Sequence, residues 1–122
     1  FPIFKGERFI TEAILFDQLT LTNKLLYTNL PMQVKEYLPG GLTDNQTKIR
    51  IESPNGTLAY YKLRYRLSRK FIYRLKALIN YSRFLIHAKC NNRTLVEPVL
   101  KLSYLVAPVA LLMYWNDLRN KK

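Results

Sequence analysis

Hydrophobic and polar positions divide this chain into four stretches of different periodicity. From about Gly6 to Leu30, Leu15, Leu19 and Leu26 recur at roughly helical spacing, with Ile14 and Leu25 beside them. That pattern predicts a moderately amphipathic helix. Glu7 and Glu12 fall near its positive end, Thr20, Thr22 and Asn23 weaken its middle, and Pro31 makes Leu30 its boundary. Pro31 to Gln46, punctuated by Pro39-Gly40-Gly41 and Thr43-Asp44-Asn45, reads as a connector over the surface. Thr47 to Glu52 then alternates polar and apolar, Ser53-Pro54-Asn55-Gly56 has turn chemistry, and Thr57 to Tyr61 returns. This sequence of signals predicts a short β-hairpin over 47–61, which needs a helix or a partner to lean on.

Helical periodicity resumes from about Tyr61 to Lys89. Leu63, Leu67, Phe71, Leu75, Leu78 and Leu85 form one stripe, flanked by Ile72, Ile79 and Ile86. Arg66, Arg69, Lys70, Lys76 and Arg83 fall on the other side, with Tyr73, Phe84 and His87 among them. No Pro or Gly lies between Thr57 and Thr94 to interrupt this helix, and Asn91-Asn92 gives it a stop. The fourth stretch, Leu95 to the end, contains the most apolar run of the chain, Val99 to Trp115, with Lys101 as its one charge.

That run is seventeen residues long, against a lower limit of about 17 for spanning a bilayer core. Lys101 lies near enough to one end to reach head groups, Tyr114 and Trp115 sit where an interfacial aromatic belt would, and basic residues follow. A membrane helix carried by Val99, Leu105, Val106, Val109, Leu111, Leu112 and Trp115 is therefore expected, against the plainer reading of a helix buried in a protein core. The expected fold class is mainly α: an amphipathic N-terminal helix, a short hairpin, a long basic amphipathic helix and a C-terminal transmembrane helix. Residues 1–94 would form a small basic helical domain, and residues 95–122 the membrane helix and a short basic tail.

Charge sharpens the picture. The chain has 122 residues, 20 Lys+Arg against 8 Asp+Glu, and a formal net charge of +12. Residues 1–52 are neutral, with six acids and six bases, so the excess belongs to the rest. From Ser53 to Thr94 there are ten Lys/Arg and no carboxylate. Such crowding persists where a polyanion compensates it, either phospholipid head groups or RNA. Arg66, Arg69, Lys70, Arg74, Lys76 and Arg83 are the expected anion-binding residues, for lipid phosphate or RNA. Acidic neighbouring subunits would serve the same face. No aromatic RNP pattern, Gly-x-x-Gly clamp or zinc knuckle accompanies them.

Hydrophobic residues make up 48% of the chain, too many for a disordered basic tail. The single cysteine, Cys90, excludes an internal disulfide. Asn-x-Thr occurs at Asn45, Asn55 and Asn92, where chance matches are expected among nine asparagines, and it signifies glycan only in the secretory pathway. The chain opens on Phe1, which fits either a fragment of a longer protein or removal of an N-terminal segment, a mitochondrial presequence or a secretory signal. Phe71-Ile72-Tyr73-Arg74-Leu75 resembles the Leu-Tyr-Arg motif of small mitochondrial assembly factors and complex I accessory subunits. Ile72 stands where that motif has Leu, the likeness covers three residues, and no function is carried over from it.

Catalysis is not expected. One histidine, one cysteine and eight dispersed carboxylates offer no paired acids, ligand cluster, phosphate loop or nucleophile elbow. His87 and Cys90 lie three apart, but a thiolate pair needs an orienting third group and an oxyanion site, and a zinc site needs more ligands. No cofactor is expected beyond a structural phospholipid such as cardiolipin. The sequence thus points to a non-catalytic, supernumerary subunit of a mitochondrial inner-membrane complex, a respiratory complex or the ATP synthase, with its bulk on the matrix side. Its partners would be other subunits of that complex and anionic phospholipid. The alternative is a mitochondrial ribosomal protein in the matrix, its basic helix on rRNA.

Overall fold

The computed structural model describes residues 3–34, 36, 39–41, 44–91, 94–95 and 100–120, and five α-helices lie among them. They are α1 (Ala13–Thr22), α2 (Gln46–Glu52), α3 (Pro54–Leu67), α4 (Phe71–Cys90) and α5 (Ala107–Arg119), with a 3-10 helix (Lys101–Val106) leading into α5. The protein is mainly helical, and no strand occurs among the described residues.

The hairpin expected over 47–61 is instead α2 and the first half of α3. Two signals were ambiguous. Pro54, taken as a turn residue, occupies the first turn of α3, where its missing N–H is no loss and its fixed φ suits the helix. The alternation of Ile49 and Ile51 is too short to exclude a helix, and only Ile51 is fully buried. What secures the start of α3 comes from 48 residues away. Glu7 accepts hydrogen bonds from the Asn55 backbone N–H (2.7 Å), the Asn55 side-chain amide (2.9 Å) and the Gly56 N–H (2.8 Å). These are helix N-terminal donors with no intrahelical acceptor, facing an anion. Glu7 therefore serves the positive end of α3, not of the N-terminal helix. Gly56 makes this docking feasible, since a Cβ there would meet the Phe9 carbonyl oxygen at 2.8 Å and Ile10 Cγ1 at 3.1 Å.

The N-terminal helix is shorter than its periodicity suggests. It ends at Thr22, where the Asn23 side chain donates to the Leu19 carbonyl (3.1 Å) and to Thr22 Oγ1 (2.9 Å). The polar side chains that weakened the pattern thus end the helix. Residues 23–34 run on without helix or strand, exposing Leu25, Leu26, Tyr27, Leu30, Met32 and Val34. The connector that follows behaves as expected in its described residues. Gly40 adopts φ +75, and Asp44 and Asn45 close the turn onto its backbone N–H and carbonyl.

The single basic helix expected over Tyr61 to Lys89 is broken in two at residues 68–70. Ser68 donates both its N–H (3.0 Å) and its hydroxyl (2.6 Å) to the Arg64 carbonyl, and Lys70 is extended. The spacing held the hint. Leu63, Leu67, Phe71 and Leu75 are four apart, and each such step walks about 40° around a 3.6-residue helix. Over three steps the stripe leaves any one face. Breaking the helix lets α4 return antiparallel along α3, stacking Tyr61 on Phe84 with centroids 5.8 Å apart. Ile51, Leu58, Tyr61, Tyr81, Phe84 and Leu85 form the core, with Tyr60, Leu95 and Leu100 packed against it.

The expected C-terminal transmembrane helix is not found among the described residues. The described part of the apolar run is a six-residue 3-10 helix followed by the thirteen-residue α5, and no helix among the described residues is long and apolar enough to cross a membrane. Pro108 sits in the first turn of α5, so it starts this helix and does not interrupt a longer one. At 1.5 Å per residue α5 is about 20 Å long, well short of a bilayer core of about 30 Å. It lies antiparallel along α4, with Tyr114 edge-on to His87 at 4.6 Å. α4 is thus the central element, flanked by α3 and α5.

Candidate polyanion interface

The break at residues 68–70 gathers cations at one end of the α3–α4 pair. Arg66 at the end of α3, Arg69 and Lys70 in the junction, and Arg74 in the first turn of α4 are all exposed. Arg74 reaches back across the junction, its guanidinium 4.7 Å from the Tyr65 ring centroid, which fixes one cation in place. Lys76 is exposed further along α4. Among the described residues no carboxylate pairs with any of these five. Arg64, by contrast, is bound to Asp17 at 3.0 Å.

Arg83 does not belong to this group. Its guanidinium forms a bidentate pair with Asp117 of α5, through Nε at 2.6 Å to Oδ2 and through Nη2 to Oδ1. His87 Nε2 lies 2.9 Å from the same Oδ2. The three side chains are mostly buried, at 15% exposure for Arg83, 6% for Asp117 and 1% for His87. Burial pushes the Asp117 carboxyl upward, but the hydrogen bonds and charges of Arg83 and His87 outweigh it and hold the group below the usual carboxylate range. Asp117 is the sole carboxylate after Glu97. An isolated acid just beyond the apolar run is the one signal that a cation upstream is reserved for it.

The junction also presents apolar groups that sequence reasoning placed elsewhere. Phe71 and Ile72, assigned to the buried stripe or its flank, are exposed beside Tyr73, with Phe71 at 77%. Helical spacing could not reveal this, because their displacement follows from the turn. A second apolar surface runs along the C-terminal part. Leu102, Tyr104 and Leu105 of the 3-10 helix and Val109, Leu111, Leu112, Trp115 and Leu118 of α5 are exposed, while Val106 is half-buried and Val99 lies outside the described residues. Inward are Ser103, Ala110 and Asp117. α5 therefore turns most of its large apolar residues outward and Ala110 and Asp117 toward the protein, the reverse of an ordinary surface helix.

Chemical alternatives find little support. The His87–Asp117 contact has the geometry of a catalytic dyad, but Arg83 shares the carboxylate and His87 is closed to solvent. Cys90 is exposed, and its thiol near Tyr114 holds the Tyr114 phenol above its usual value. Among the described residues no three His, Cys, Asp or Glu side chains gather as a metal site would require. An open depression of about 680 Å³ is lined by Asp44, Asn45, Thr47, Lys48, Ile51, Glu52, Asn91, Asp117 and Asn120, without a recognisable nucleophile and base. Comparison with family models, with curated proteins and with solved structures yields no match.

Proposed function

We propose that this chain is a non-catalytic structural subunit of a mitochondrial inner-membrane complex, such as a respiratory complex or the ATP synthase. It sits on the matrix side, against the membrane rather than through it. Arg66, Arg69, Lys70, Arg74 and Lys76 bind phosphate groups of anionic lipid such as cardiolipin, or acidic patches of adjoining subunits. Residues 23–34 and the outer side of α1 are covered by those subunits. Two observations carry this reading: the outward apolar side of α5, and a cationic junction that meets no carboxylate among the described residues. Exposed apolar area of this extent marks an interaction surface, and cations without acids mark an anionic counterpart.

Separation of gently solubilised mitochondria on a density gradient tests it. The protein should migrate with an inner-membrane complex, unchanged by RNase, and alkaline carbonate should release it from membranes because nothing in the described chain spans them. A second reading, a mitochondrial ribosomal protein on rRNA, draws on the Arg74–Tyr65 stack and on Phe71 and Tyr73 exposed beside Lys70, a pairing of cations with bases' stacking partners. Migration with ribosomal subunits that RNase or high salt abolishes would replace the first reading with the second.

A further inference from the structure

We infer that the 3-10 helix and α5 form a face that lies flat in the head-group region of an anionic bilayer. This deepens the reading above and rests on it for its cellular setting. The exposed residues Leu105, Val109, Leu112 and Trp115 follow one another at helical spacing, with Leu102, Leu111 and Leu118 at their sides. Leu105 is 77% exposed and Trp115 60%. An element of this length and polarity is too short to cross a bilayer but suits the interfacial plane, where an amphipathic helix sinks its apolar side among the upper acyl carbons.

Charge decides between a lipid and a purely apolar protein surface as occupant. The rim of this face carries the exposed cations Lys101, Arg119 and Lys89, the last 3.3 Å from the Tyr104 hydroxyl. The only carboxylate in the described residues 100–120 is Asp117, turned inward and held by Arg83 and His87. An apolar protein surface would leave that rim uncompensated. An anionic bilayer satisfies both parts, acyl chains beneath the leucines and phosphates around the cations. Trp115 and Tyr104 are the amphipathic aromatics that favour this depth.

Trp115 is the single tryptophan of the chain, so its fluorescence reports this face alone. The full-length protein is titrated with phosphatidylcholine vesicles, with and without cardiolipin. With cardiolipin, Trp115 emission should move to shorter wavelength and be quenched by bromine on the acyl chains. Leu112→Asp and, separately, Val109→Asp should weaken this binding at least about tenfold, the effect expected for losing one buried aliphatic side chain. Both positions are exposed in the fold, and circular dichroism checks that each variant keeps its helices. An unchanged emission, no quenching by bromine, or equal binding to neutral vesicles would overturn the inference. A response to ribosomal RNA in place of vesicles would do so as well. Failure here with continued migration beside a membrane complex means that a protein subunit covers α5. Success here with ribosomal migration overturns the functional reading and leaves the lipid-binding face standing.

Discussion

Replacing Asp117 with Asn tests how α5 is held. The substitution keeps side-chain size but removes the charge that satisfies Arg83 and His87, which are 15% and 1% exposed. Asparagine offers one acceptor oxygen, and its amide group cannot accept from the guanidinium. Deleting one partner of a buried ion pair costs about 3–5 kcal/mol, because the remaining charge stays desolvated. Arg83 retains some solvent contact, so the lower end, about 3 kcal/mol, is expected. Against a total stability of about 5–15 kcal/mol, that is a severe loss. With a urea dependence of about 1–3 kcal/mol per molar, the unfolding midpoint should fall by about 1–3 M. The double replacement Arg83→Met with Asp117→Leu removes both charges and should recover at least half of the loss. A change in D117N within about 0.5 kcal/mol, the level of an ordinary surface substitution, would refute the claim that this pair docks α5. So would a double variant no more stable than the single one.

Three further outcomes are expected. Because the Asp117 carboxyl is held low in the folded protein, the stability it contributes is present above the unfolded carboxylate range, about pH 3.9, and is lost as pH falls through the folded value. Urea midpoints measured down that window should fall more steeply for the parent protein than for D117N. Glu7→Gln leaves one of the donors at the start of α3 without its acceptor and should cost about 1–3 kcal/mol, with faster hydrogen exchange at the Asn55 and Gly56 amides. Gly56→Ala gains about 1 kcal/mol of helix propensity but drives a methyl against the Phe9 carbonyl, an overpacking worth about 1–3 kcal/mol. A net loss of about 1 kcal/mol in thermal or urea unfolding is expected, and a stabilised variant would show that residues 7–10 do not dock as described.

Much of the helical character was legible in the residues themselves. The stop at Asn91, the turn at Gly40, the mainly α class and the cations at 66, 69, 70, 74 and 76 all follow from local chemistry, and the structure keeps these five cations exposed. The errors share a cause. Ser53-Pro54-Asn55-Gly56 is equally good as a turn and as the entry to a helix. What decided between them was Glu7, nearly fifty residues earlier in the chain, supplying the carboxylate that the first turn of α3 needed. Phe71 was read as core because periodicity assigns a residue to a face without saying where the helix bends.

Composition and spacing by themselves determined that this chain is mainly helical, strongly cationic beyond residue 52 and too apolar for a disordered basic tail. Only the tertiary structure decided that Arg83 is withdrawn from the cations expected to bind anions, that residues 68–70 fold α4 back on α3, and that the hydrophobic run is cut short and laid along α4. The physical reason is range. Side-chain periodicity and turn chemistry act over a few residues, whereas which side of a helix is covered depends on charges and surfaces brought together from distant parts of the chain. Asp117 pairs inward with Arg83 and His87, and that pairing turns the leucines of α5 and Trp115 to the outside.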